Sequence, residues 1–128
     1  MIMFESAESY AVLPASDLDR AKRWWKDVFD IDPIDDSTGG VMLSIAGTSV
    51  LVYETQFAGT AQNTAFGIDT DDLDRDMAAL RERGIVFNEY DLPGVTTQNG
   101  VVEDGGMRTA WFDDSEGNII ALGQRVPG

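Results

Sequence analysis

The chain contains no cysteine and no histidine. Without cysteine there is no disulfide, no thiolate nucleophile and no sulfur ligand for a metal. Without histidine there is no imidazole to serve as base, acid or ligand, so Ser-His-Asp and Cys-His catalysis are excluded within the chain. Positive charge is scarce: nine Lys and Arg stand against 23 Asp and Glu, a formal net charge of −14. Phosphate backbones and anionic membranes are bound by the charge this chain lacks, so neither nucleic acid nor membrane is an expected partner. No apolar run approaches the roughly 18 residues of a spanning helix. The segment Met1 to Tyr10 carries Glu5 and Glu8 without a basic cluster, which does not read as a secretory signal. The expectation is a cytoplasmic protein. Its acidity serves solubility or salt tolerance, or draws cationic ligands to an acidic cleft.

What is present is enough for one domain: 128 residues, 43% of them hydrophobic. The chain contains a degenerate copy of itself. Asp17-Leu18-Asp19-Arg20 recurs 55 positions later as Asp72-Leu73-Asp74-Arg75, and the flanks agree. Short apolar runs, Tyr10–Leu13 and Ala65–Ile68, precede the two copies and read as strands. Helical periodicity follows each: Leu18, Ala21, Trp24, Trp25, Val28 and Phe29 form one face of the first helix, and Leu73, Met77 and Leu80 a thinner face on the second. Ser16 is the expected N-cap of the first helix, and Gly84 suits a left-handed C-terminal turn on the second. Hairpins come next: Val41–Ala46 with Ser49–Glu54 around Gly47-Thr48, then Met107–Phe112 with Asn118–Gly123. Gly39-Gly40 and Gly105-Gly106 open them, 66 positions apart, so 11 extra residues fall within Asp91–Asp104 as a longer loop. Further short strands are expected near Ile34 and over Val86–Tyr90. The pattern is α+β, two tandem βαβββ modules (about 6–56 and 64–125) joined by a linker at about 57–63. Modules this short share one core rather than folding alone.

Leu13-Pro-Ala-Ser-Asp-Leu-Asp-Arg-Ala21, with the aromatic pair and Val28-Phe29 after it, resembles the opening of vicinal-oxygen-chelate proteins, the glyoxalase/bleomycin-resistance/dioxygenase superfamily. Ala110-Trp-Phe-Asp-Asp-Ser-Glu-Gly-Asn-Ile-Ile-Ala-Leu122 resembles their closing hairpin, with Ser115 where proline is usual. Phe57–Ala61 and Glu89–Gly94 resemble a glyoxalase-like bacterial branch. The resemblance implies a curved mixed sheet around a small-molecule pocket with helices outside, and a homodimer. It also implies four ligand positions in metal-using members, which here carry Tyr10, Val52 (Leu51 if the register slips by one), Ala65 and Ala121. One phenol and three apolar side chains cannot hold a divalent cation, so no metal and no other cofactor is expected, and glyoxalase I or extradiol dioxygenase activity is disfavoured.

A cavity walled by Val52, Ala65, Gly67, Ala121 and Gly123 would be roomy and apolar. Tyr10 is a hydrogen-bond donor to it, and Glu54 and Asp69 are partners for a cationic group. Trp111 is a stacking surface, Arg108 a clamp for a carboxylate or a counter-ion to Glu103 and Asp104. The Asp91–Gly106 loop is a lid or binding element. The leading expectation is metal-independent binding of a small organic ligand, sequestering a cationic or aromatic metabolite or antibiotic. The alternatives are a lyase, isomerase or dioxygenase of the same fold, with Glu54 and Tyr10 as acid–base candidates or metal held by other ligands, and a regulatory dimer with a vestigial pocket.

Overall fold

The computed structural model describes residues 2–37 and 40–126; Gly39, expected to open the first hairpin, lies outside them. The first module runs β1 (Ala11–Ala15), α1 (Leu18–Phe29), β2 (Asp35–Ser37), β3 (Gly40–Ile45) and β4 (Thr48–Glu54). The second runs β5 (Thr64–Asp69), α2 (Leu73–Glu82), a small hairpin β6 (Asp91–Leu92) and β7 (Val95–Thr96), then β8 (Val101–Asp104), β9 (Met107–Asp113) and β10 (Ile119–Arg125). Strand orders are β1-β4-β3-β2 and β5-β10-β9-β8, each with one parallel pair next to antiparallel ladders. This is the α+β tandem βαβββ arrangement, and the 11 extra residues supply the β6–β7 hairpin. Val86–Tyr90 is not a strand: the Asn88 N–H donates to the Trp111 carbonyl (2.8 Å), without a continuing ladder.

The repeated tetrapeptide is a capping device. Asp17 and Asp72 are the N-caps, and each accepts at 3.0 Å from the N–H of the Arg three residues on, worth about 1 kcal/mol per helix. Ser16 is therefore not the cap. Its N–H is taken by Glu116, from the β9–β10 turn 100 positions away. Glu116 also accepts from the Asp17 N–H (3.0 Å) and from Arg20 through Nε (2.8 Å) and Nη2 (2.9 Å). Asn118 adds a bond from Nδ2 to the Pro14 carbonyl. The closing turn of one module thus clasps the helix N-terminus of the other. The linker crosses the same turn so closely that a Cβ on Gly59 would lie 2.8 Å from the Glu116 carbonyl oxygen.

The core lies on one face of the sheets, under the helices. Leu13, Val41, Leu43, Val50 and Val52 supply it from the first module, Phe112, Ile120 and Leu122 from the second. α1 serves both. Trp25 is fully buried, and Trp24 and Phe29 lie 6.4 and 6.0 Å from Phe112 between ring centroids. An apolar helix face buried by the other module's sheet is the physical reason for a single shared core.

Candidate functional site

Directly paired residues on neighbouring strands point to the same side, and successive residues to opposite sides. Ala11↔Val50, Leu13↔Val52, Ala15↔Glu54 and Val41↔Val52 therefore define the helix-covered face of the first sheet. The opposite, open face carries Val12, Met42, Leu51 and Tyr53, and by alternation Tyr10; Tyr10, Val12 and Tyr53 are all exposed. In the second sheet Trp111↔Ala121↔Gly67 forms one row across the open face, and Thr109↔Gly123↔Asp69 the next.

This geometry corrects four expectations. Val52 is core, 3% exposed beneath the helices. The open-face position belongs to Leu51, so Val52 is no wall residue. Glu54 shares the parity of Val52 and ends β4 against Ala15, whereas Tyr10 precedes β1 on the other face. The two are not brought together as an acid–base pair. Arg108 points to the helix side, bonded to Asp74 of α2 (2.9 Å) and Glu103 of β8 (3.3 Å), so it is the counter-ion to Glu103 and, facing away from the Trp111 row, no clamp for a ligand there. Ala65 is on an irregularity: Ile119 pairs with Thr64 and Ile120 with Phe66, leaving Ala65 without a partner.

Trp111, Ala121, Gly67 and Asp69 do share the open face. A Cβ placed on Gly67 meets nothing within 4 Å, so there is free space over the floor beside Ala121. At Gly123 a Cβ would meet the Asp69 carboxylate at 3.3 Å and the Met107 methyl at 3.4 Å, which close that end. At the other end a cleft of about 200 Å³ is lined by Trp111, Tyr90, Leu92, Val95, Ile119, Thr64, Gln62 and Asn63. Tyr90 stands edge-on to the indole (centroids 5.6 Å apart, 85° between planes), and the indole N–H donates to Thr64 Oγ1 at 3.2 Å. Asn88 Nδ2 donates to the Tyr90 hydroxyl (3.2 Å) and to Asp113 (2.9 Å). These bonds fix the two rings relative to each other and to Thr64 and Asp113, and Leu92 and Val95 on the small hairpin also line the cleft. Among the described residues no Asp, Glu, Lys or Arg lines this cleft. Tyr90, Leu92 and Val95 were not singled out from sequence; the signal was Glu89-Tyr-Asp-Leu-Pro-Gly94, an aromatic leading into a proline–glycine turn inside the extra loop.

The carboxylates with displaced pKa values lie elsewhere. Burial pushes Asp114 up, more than the bonds from Asn118 and Glu116 pull it down. Burial also acts to raise Glu116, but hydrogen bonds from Arg20, the Asp17 N–H and Ser115 outweigh it and hold the group at about 2. Asp74 is lowered by its bond to Arg108, and Asp76 is lowered although burial opposes it, through Thr70 and Arg75. All four are engaged at helix ends, turns or ion pairs.

The residues at the metal positions of the fold do not fit a divalent cation. Tyr10, Leu51, Ala65 and Ala121 offer one phenol oxygen, and among the described residues no three His, Cys, Asp or Glu side chains cluster closely enough to hold one. No helix among those residues is long and apolar enough to cross a membrane.

Solved structures share this architecture. A glyoxalase/bleomycin resistance protein/dioxygenase from Alicyclobacillus acidocaldarius superposes with a TM-score of 0.72 at 15% identity, covering 93% of this chain and 91% of that one. The fosfomycin resistance protein FosX from Listeria monocytogenes gives 0.70 at 16% identity, with 97% and 94% covered. TnmS3, an antibiotic binding protein from Streptomyces sp. CB03234, gives 0.64 at 25% identity, with 93% and 98% covered. Among curated proteins no sequence matches. The family model for glyoxalase, bleomycin resistance protein and dioxygenase matches residues 9–122, from just before β1 to within β10. With the duplicated βαβββ fold and its open sheet face, that match makes this chain a member of the Glyoxalase/Bleomycin resistance protein/Dioxygenase superfamily.

Proposed function

We propose that this protein binds a planar organic ligand on its open sheet face, without a metal, and holds it rather than transforming it. The observation that carries this reading is the Trp111 row: an indole braced by Tyr90 and Thr64, beside the unfilled floor over Ala121 and Gly67. An aromatic wall next to an empty apolar floor suits a flat ligand. The donor set argues against metal chemistry, and the perturbed carboxylates are engaged in the fold rather than lining the cleft. Likeness to TnmS3, named as an antibiotic binding protein, supports sequestration of an antibiotic or aromatic metabolite. With no basic side chain in the cleft and a net charge of −14, neutral or cationic ligands are favoured over anions, which would meet repulsion as well as desolvation. The setting is a cytoplasmic homodimer with neither nucleic acid nor membrane as partner.

A matched panel of cationic, neutral and anionic aromatic compounds, followed by tryptophan fluorescence, tests this. Trp24 and Trp25 lie in or against the core, so a ligand-dependent signal should come from Trp111. Trp111→Phe should abolish it and weaken binding about 2- to 10-fold, the worth of one aromatic contact. Best binding by the anionic members, or an unchanged signal in Trp111→Phe, refutes the reading.

A further inference from the structure

A second, larger cleft of about 640 Å³ opens on the helix side of the second module, between α2 and the β7–β8 connection. Its floor is apolar, formed by Met77 and Val101. At one end Arg108 stands between Asp74 and Glu103 at 2.9 and 3.3 Å, one guanidinium shared by two carboxylates, so that end carries a net single negative charge. At the other end lies Arg81. Among the described residues no carboxylate comes within ion-pair distance of it. Its Nη2 donates to the Asn99 carbonyl at 3.0 Å, and its guanidinium lies 5.1 Å from the Phe87 ring centroid. Neither contact neutralises it. The support is rigid: Asn99 and Gly100 both have positive φ, at 53° and 84°, in a tight turn closed by Gln98 and Val101, and a Cβ on Gly100 would lie 3.0 Å from the Phe87 Cβ. Gln98, Asn99 and Thr96 add neutral polar groups along the wall.

We propose that this cleft binds a short zwitterion of dipeptide size, its ammonium on the carboxylate oxygens of Asp74 and Glu103 that Arg108 leaves free and its carboxylate on Arg81. Asp74, Met77 and Arg81 follow at steps of three and four and so share one helix face. The two charged ends are seven residues apart on α2, about 10 Å of helix rise. An α-amino acid, with both charges on one Cα, is too short to reach both. An extended dipeptide spans about 7 Å and a hydrogen bond at each end closes the remainder, with its peptide group over the polar wall and its side chains over Met77 and Val101. A simple anion meets the two acids, and a simple cation meets Arg81; only a ligand carrying both charges satisfies both ends. The site lies on the opposite sheet face from Trp111, so it stands or falls independently of the aromatic ligand.

Calorimetry with L-alanyl-L-leucine, its N-acetyl derivative and its C-terminal amide tests the assignment. The free dipeptide should bind at least tenfold more tightly than either blocked form. Arg81→Gln should erase the preference over the amide while keeping that over the acetyl form. Asp74→Asn, at an exposed position that leaves the fold intact, should weaken the preference over the acetyl form and keep that over the amide. Lys22→Gln, on the remote α1, should change neither. No detectable dipeptide binding at millimolar concentration, equal binding of the blocked forms, or preferences indifferent to Arg81 and Asp74 would each overturn the proposal.

Discussion

Replacing Glu116 by Gln keeps the shape of the intermodule clasp and removes its charge. The Glu116 side chain is 1% exposed, and five of its hydrogen bonds reach across to Ser16, Asp17 and Arg20. Its carboxyl titrates at about 2 in the folded chain against an ordinary 4.5. At about 1.36 kcal/mol per pH unit that depression is worth about 3 kcal/mol at neutral pH. An independent route agrees: removing one partner of a buried ion pair costs about 3–5 kcal/mol, and Arg20, 46% exposed, places this pair at the low end. The sign of the pH dependence follows from the lowered folded-state value. The stabilisation is complete above the unfolded value and is lost as pH falls through the folded one. At pH 3 about 1–1.5 kcal/mol of it should remain. Asp114, raised by burial, works in the opposite sense, its stabilisation being lost as pH rises through its folded value. It is present in both proteins, so the difference between them reports mainly Glu116. Urea unfolding of wild type and Glu116→Gln should show a gap of about 3 kcal/mol at pH 7 that narrows by half or more at pH 3. A gap below about 0.5 kcal/mol at pH 7, or one that does not change between the two pH values, would refute the reasoning.

Gly67→Val should leave thermal stability unchanged or slightly raised, since the added side chain meets open space on a strand. It should weaken aromatic ligand binding at least tenfold by filling the floor; retained binding in fluorescence titration would move the site elsewhere. Elemental analysis of protein purified without chelator should find zinc, nickel, iron and manganese well below stoichiometric, and a near-stoichiometric metal would overturn the metal-free reading. Sedimentation should show a homodimer that tightens as salt screens the net charge of −14; a monomer at micromolar concentration across ionic strengths counts against it.

The duplication was legible because Asp-Leu-Asp-Arg does the same local work twice, capping a helix three residues upstream of its own arginine, and local work leaves a local signature. The face of β4 was not. Ser49-Val-Leu-Val-Tyr-Glu54 is apolar on both parities, so hydrophobicity does not say whether Val52 or Leu51 meets the helices, and one residue of register exchanges them. The hairpin turn compounds this: it is built on Ala46 and Gly47, with φ of 49° and 87°, one residue earlier than Gly47-Thr48. For Arg108 the nearby counter-ion Glu103 is legible, but its second partner Asp74 lies 34 positions away on another element. Glu116 sat in plain view within the closing hairpin. What it caps is 96 to 100 positions upstream, and nothing in the turn's own sequence points there.

That separation sets an order of events during synthesis. At about 5–20 residues per second, the ribosome adds Glu116 roughly 5–20 s after Arg20. Through that interval α1 has only its Asp17 cap, and Trp24 and Phe29 wait for Phe112, which arrives four residues before the clasp. Until then the partners within this chain for that aromatic stripe and for the Ser16 and Asp17 N–H groups have not been made. The β9–β10 hairpin both covers the stripe and ties the helix down, so both contacts have to wait for it.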